Sequence, residues 1–271
     1  MLKKLISTER EFLDPAYGHS VPLLDILGIK MECLTFAEMH AAFDWWLLDK
    51  SRHGLRVPLV NAAGSVAALR DPQVMACYRN ADVRFIDSMP YTALARKITG
   101  KPVDRMYGPD VFNEVCARSK DNPRRFFLVG GVPGAAEKMA KYAEDNFPGV
   151  SVVGIVSPPF RPLTEREDAE LIDAINAARP DFVWVGLGAP KQDLWIEEHY
   201  QRLPGCILIA VGAAFDFFSG RVRQAPRWIQ RSGFEWLYRL SKDFRRLWKR
   251  YTRDNLLFLY HFTRQVLGAR Y

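Results

Sequence analysis

Cysteine is scarce, long apolar runs are missing and several catalytic signatures are absent, and each shortage excludes a class of function. Four cysteines in 271 residues, Cys33, Cys77, Cys116 and Cys206, stand far apart with no Cys-x-x-Cys spacing. That is neither a zinc pattern nor a disulfide framework, so all four are expected as reduced, mostly buried thiols. No window approaches the roughly 18 consecutive apolar residues of a spanning helix. Met1-Leu2-Lys3-Lys4 runs into Glu9, Arg10 and Glu11 without the apolar region of a signal peptide, so a cytosolic location is expected. The five histidines have no ligand spacing, no Gly-x-Ser-x-Gly elbow is present, and no Asp-x-Asp stands ready to hold a metal against a diphosphate. Internal repeats and low-complexity linkers are also missing.

What is present is a composition of 48% hydrophobic and 25% charged residues, enough for a sizeable core and unlike a disordered or collagenous chain. The net charge of +7 is unevenly spread. Residues 221–271 hold 13 Lys and Arg against Glu235, Asp243 and Asp254, a net of +10, while the remainder of the chain nets −3. The same segment holds 11 of the 34 aromatic residues, so it is basic and apolar together, the mark of a surface seeker. Advancing about 100° per residue from Trp236 gathers Leu237, Leu240, Phe244, Leu247, Trp248 and Tyr251 into an arc of roughly 120°. Arg239, Lys242, Arg245, Arg246, Lys249, Arg250 and Arg253 fall opposite. Such a helix can lie in the headgroup region of an anionic bilayer, bind nucleic acid, or simply pack its apolar arc on the core. Periodicity does not choose among them.

From about residue 25, short β-rich runs alternate with helical stretches, which predicts an α/β fold with a mainly parallel, Rossmann-like sheet and helices on both faces. Strands are expected at 57–60, 83–86, 125–130, 151–156, 181–186 and 206–211. Helices are expected at 36–50, 71–79, 89–98, 110–119, 133–146, 164–178 and 190–202, with Thr164 and Glu167 forming a capping box. The division expected is an extension over 1–24, an α/β domain over 25–220 and a helical, basic appendage over 221–271.

Ligands of open α/β sheets bind outside the carboxyl ends of the strands. Phe126–Val129 runs into Gly130-Gly131-Val132-Pro133-Gly134, where glycines let backbone amides approach a phosphate or simply make a tight turn. Phe182–Val185 ends at Gly186-Leu187-Gly188-Ala189-Pro190-Lys191-Gln192. There Lys191 can meet a diphosphate, or be a solvated surface lysine, and Gln192 can meet a sugar or ribose hydroxyl. Asn61 and Asp87 each follow a strand; a carboxylate so placed can act as a general base and an amide can orient a substrate, although turn and cap roles need the same residues.

At these residues the chain resembles the WecG/TagA/CpsF family of bacterial glycosyltransferases, from about residue 25 to the tail. Gly188-Ala189-Pro190-Lys191-Gln192 is the most specific piece. Val211–Phe217 with Gly220, Ala225-Pro226-Arg227-Trp228, Gly233–Leu240 and Lys249-Arg250-Tyr251 follow in the family's order. The resemblance implies an inverting, metal-independent and cofactor-free transfer of a hexose or N-acetylhexosamine from a UDP-sugar to a polyprenyl-diphosphate-linked acceptor in surface-polymer synthesis. It implies Asp87 as base, Arg105 at the donor diphosphate or leaving group, and Asn61, Gly188, Lys191 and Gln192 as substrate-binding, to which the glycine turn after 126–129 adds Gly130 and Gly131 as candidates. Ser88 stands where the family usually has glycine, Leu59 where it often has threonine and Gln224 where it favours arginine, and Ser157-Pro158-Pro159-Phe160 replaces a more glycine-rich loop. A peripheral place on the inner face of the membrane follows, with Arg245, Arg246, Trp248, Lys249 and Arg250 meeting anionic lipid. No nucleic-acid partner is expected, and oligomeric state is open. Two other classes stay open at this point: a nucleotide-dependent oxidoreductase, although no strict dinucleotide fingerprint is evident, and a non-catalytic adaptor using only the tail.

Overall fold

The computed structural model describes residues 5–11, 20–242 and 244–271, with the side chains of 7–11, 239, 242, 245–247 and 249–251 outside that description. In chain order its strands are β1 (Ile6–Glu11), β2 (Ser20–Ile26), β3 (Ile29–Glu32), β4 (Leu55–Val57), β5 (Leu59–Val60), β6 (Phe85–Ile86), β7 (Arg124–Gly130), β8 (Val150–Val156), β9 (Phe182–Gly186) and β10 (Ile207–Ala210). The α/β class, the mainly parallel pairing and the C-terminal helices are as expected from the sequence. The strands form two sheets, ordered β1-β2-β3-β6-β5 and β4-β10-β9-β7-β8. They belong to two compact units, one of residues 1–36, 59–107 and 224–271, the other of 37–58 and 108–223. These units cut across the expected 25–220 domain and place the C-terminal helices in the first unit.

Pro58 explains why the run 57–60 is not one strand. It has no N–H to give to a ladder, and the chain changes sheet across it: β4 pairs with β10, whereas β5 pairs with β6.

In the second unit every strand pairing is parallel, and its inner strands are apolar on both faces, as a doubly covered sheet requires. Because strand side chains alternate, Phe127, Val129, Val183 and Val185 point to a core shared with Leu171, Ile172, Ile175, Trp195 and Ile196 of the helices Glu165–Ala178 and Lys191–His199. On the opposite face Phe126, Phe182 and Trp184 meet Phe43 and Phe112, with ring centroids 4.9–5.8 Å apart. The capping box forms as expected: Thr164 accepts from the Glu167 amide while the Glu167 carboxylate accepts from the Thr164 amide.

In the first unit β2 and β3 form an antiparallel hairpin across Leu27 and Gly28, both with positive φ, at 55° and 79°. A two-residue turn of that kind matches the strand twist. Leu27 is a costly residue there, and its amide is met by Gln265 Oε1 at 2.9 Å. The helix Phe244–Val266 that carries Gln265 packs on the helix Ala62–Arg70. Asp254 pairs with Arg70 at 2.9 Å and Phe258 meets Tyr91 at 5.6 Å. All four cysteines are free and buried, and burial pushes the Cys206 thiol up to about 12. Among the described residues no helix is long and apolar enough to cross a membrane.

Candidate active site

In the first unit β5 and β6 are parallel neighbours with Val60 opposite Ile86, so the residues that follow them, Asn61 and Asp87, come side by side at the carboxyl end of the sheet. Asn61 Nδ2 donates to Asp87 Oδ2 at 2.8 Å. Asn61 is also the N-cap of the helix Ala62–Arg70, its Oδ1 accepting from the Gly64 amide at 3.0 Å. That cap settles which end of the amide is which: the oxygen is taken by a backbone donor, so the nitrogen faces the carboxylate. The expected cap is thus present, and the same side chain donates to Asp87.

Ser88 follows with φ −109° and ψ 139°, extended backbone that needs no glycine. The family's glycine is therefore dispensable here. Ser88 caps the helix Met89–Thr99 by position without a side-chain hydrogen bond, and its Oγ is buried without a partner among the described residues.

Arg105 lies beside this pair. Its Nε donates to the Asp87 main-chain oxygen at 2.7 Å and its Nη2 to Glu235 Oε2 at 2.8 Å. Burial alone would lower the Arg105 pKa, but the Asp87 and Glu235 carboxylates outweigh it and hold the guanidinium firmly charged. The other Glu235 oxygen accepts from the Tyr107 hydroxyl at 2.8 Å. Sequence reasoning named Asp87, Asn61 and Arg105 but missed Glu235 and Tyr107. The available signal was that Glu235 is one of only three acids in a segment with 13 cations.

In the second unit Gly130 and Gly186 lie opposite one another at the ends of β7 and β9. A Cβ on Gly130 would stand 2.5 Å from the Gly186 backbone, and one on Gly186 would stand 2.3 Å from the Phe215 ring. The Gly131 amide donates to the Gly186 oxygen at 3.1 Å. These glycines are thus demanded by close packing of strand ends, and the Gly131 donor is already engaged. The turn after β9 differs. Gly188 has φ 81° with open space where a Cβ would be, and Lys191 is exposed. Gln192 is buried, with Oε1 accepting from the Gly188 amide at 3.1 Å. Its Nε2 has no partner among the described residues, so an oriented donor is left over.

Of the expected lipid-facing residues, Trp248 is 40% exposed. The backbone of Arg245, Arg246, Lys249 and Arg250 lies in the helix Phe244–Val266, and their side chains lie outside the described ones. Trp236, Leu237 and Phe244 of the expected apolar arc are also exposed. No group of three metal-ligating side chains is found among the described residues.

The chain matches the Glycosyl transferase WecG/TagA/CpsF family over residues 24–271. It is similar to the N-acetylglucosaminyldiphosphoundecaprenol N-acetyl-beta-D-mannosaminyltransferase of Bacillus spizizenii, 28% identical over 204 residues that cover 75% of this chain and 76% of the relative. Since the family match runs through both compact units and takes in Asn61, Asp87, Arg105 and Gln192, the chain belongs to the WecG/TagA/CpsF family and is a glycosyltransferase, neither an oxidoreductase nor a bare adaptor.

Proposed function

We propose that this glycosyltransferase moves a hexose or N-acetylhexosamine from a UDP-sugar to a polyprenyl-diphosphate-linked sugar, with inversion and without a metal ion. The observation that carries the mechanism is the Asn61–Asp87 pair at the joined ends of β5 and β6. The acceptor hydroxyl attacks the anomeric carbon, its proton passes to Asp87, and the bond from that carbon to the diphosphate oxygen breaks with its electron pair leaving on UDP. Asn61 orients the base. Arg105 supplies positive charge for the leaving diphosphate, the task a metal performs in other transferases. In the second unit the Gly188 turn, taken by itself, offers the Gln192 Nε2, without a partner among the described residues, and the exposed Lys191 as groups suited to hydroxyls and phosphates.

A polyprenyl acceptor is supported by the name of the Bacillus spizizenii relative, and it gives the basic, aromatic tail a purpose. A lipid-linked acceptor stays in the bilayer, so the enzyme docks there through its C-terminal helices, on the inner face of the membrane. Exposed Trp228, Phe234, Trp236 and Trp248 support that docking.

The test is UDP release on mixing UDP-sugars with lipid-linked acceptors, for the parent and Asp87→Asn, with and without EDTA. Expected are a turnover about 10² to 10⁴ lower in the variant with donor binding nearly intact, and little effect of the chelator. An unchanged turnover number removes Asp87 from the mechanism, and EDTA inhibition reversed by magnesium or manganese removes metal independence.

A further inference from the structure

Arg105 and Asp87 pose a problem that the mechanism leaves unsolved. A firmly charged guanidinium sits next to a carboxylate that must stay free to take a proton, and the two attract each other strongly inside a protein. A direct ion pair between them would stabilise the charged carboxylate and make it a poor base. Yet none of the hydrogen bonds of Arg105 among the described residues goes to that carboxylate. Its Nε donates to the main-chain oxygen of Asp87 at 2.7 Å, Nη2 donates to Glu235 Oε2 at 2.8 Å, and Nη1 reaches the Gln230 main-chain oxygen at 3.4 Å.

Glu235 is in turn fully engaged. One oxygen takes Arg105, the other takes the Tyr107 hydroxyl at 2.8 Å, and the Tyr107 ring lies beneath the guanidinium with its centroid 4.3 Å away. The pair is mostly buried, with side chains 15% and 10% exposed, so the contact is poorly screened by salt. Among the described residues, the ionisable groups that act on Arg105 are Asp87, Glu235 and Tyr107. Of the two carboxylates that compete for the cation, one is held ready by Tyr107 and the other is held by Asn61.

We propose that Glu235 is a positioning residue: braced by Tyr107, its carboxylate keeps the Arg105 guanidinium on the main chain of Asp87 and off the Asp87 carboxylate. Among the described residues, three of the five guanidinium donors then have partners, and two remain for a phosphate. The proposal rests on the reading of Asp87 as the base. It makes the C-terminal segment that carries Glu235 part of the working site, through a residue that need not touch substrate.

The experiment measures kcat and KM against pH in the full-length enzyme by UDP release, for the parent, Glu235→Gln, Tyr107→Phe and Asp87→Asn, each beside a thermal melt. In Glu235→Gln the cation falls back on Asp87. Expected are a loss of about 10- to 100-fold in kcat and an acid limb of the rate–pH profile displaced to lower pH. Tyr107→Phe keeps every charge and removes one hydrogen bond from Glu235, so the same displacement is expected, only smaller. A merely structural role would lower the melting temperature and leave the acid limb in place, and that result overturns the proposal. If Glu235→Gln does not fold, Tyr107→Phe decides: a profile equal to the parent's overturns it, a displaced one supports it. Asp87→Asn separates the two readings. Full turnover in that variant sinks the assignment of the base and the positioning role with it, whereas an inactive Asp87→Asn beside parent-like Glu235→Gln and Tyr107→Phe sinks the positioning role alone.

Discussion

Raising the pH from 5 to 8 should weaken the fold through one carboxyl group, Asp193. This residue is 5% exposed in the first turn of the helix Lys191–His199, directly after Gln192. Burial pushes its pKa from 3.8 up to about 7, and a hydrogen bond from its own amide only partly opposes that. The positive end of the helix dipole favours the charged form by about 0.3–1 kcal/mol. A rise of three units corresponds to about 4 kcal/mol the other way, so burial wins. The sign follows from proton counting. Between about pH 4 and pH 7 the folded chain holds a proton on Asp193 that the unfolded chain has released, and stability therefore falls as pH rises through that window and levels off above it. In Asp193→Asn the group stays neutral at every pH. The difference in unfolding free energy between parent and variant, from urea titrations at fixed ionic strength at pH 5, 6, 7 and 8, should swing in favour of the variant by about 3 kcal/mol from pH 5 to pH 8. A constant difference over that range would show that Asp193 is ionised in the fold and that the burial argument is wrong.

Asn61 has two separable tasks: Asn61→Ser keeps an acceptor for the Gly64 amide and should melt close to the parent while losing turnover, whereas Asn61→Ala should also cost about 1 kcal/mol of stability; equal turnover in Asn61→Ser and parent would show that the amide does not orient Asp87. Gly130→Ala places a Cβ against the Gly186 backbone and should destabilise by about 1–3 kcal/mol, read as a lower melting temperature; a parent-like melt would mean that the strand ends can part at no cost. For the tail, each cation near an anionic bilayer contributes about 1 kcal/mol, so reversing Arg245, Arg246, Lys249 and Arg250 together should release the folded protein from anionic vesicles in a sedimentation assay, and undiminished co-sedimentation at low and high salt would end the lipid reading.

How far the sequence could be read depended on how far apart the interacting residues lie. The parallel strands after residue 124, the Thr164–Glu167 cap and the strand-end positions of Asn61 and Asp87 rest on local patterns, and the structure contains each of them. The hairpin of β2 and β3 was missed because its turn is Leu27-Gly28, a poor turn sequence that holds with Gln265 from 238 residues away. The helix Ala62–Arg70 was missed because nine residues with a glycine at the third position carry little periodicity. The split at Pro58 needed knowledge of which strands pair.

The C-terminal segment shows the same limit from the other side. Its cations can be counted from the sequence, but two of the residues that tie it to the rest of the first unit, beside Phe258 and Gln265, are rare acids. Glu235 and Asp254 are buried and paired with Arg105 and Arg70 across 130 and 184 residues. Asp254 also takes its neighbour Arg253 at 3.3 Å, but both acids are held by an arginine from before residue 106. Burying such a group without a partner is costly, so each pair fixes where its helix sits. The tail is thereby both an integral layer of the first unit and its most basic segment, and the acid that anchors it beside Asp87 is the one on which the chemistry of the site is proposed to depend.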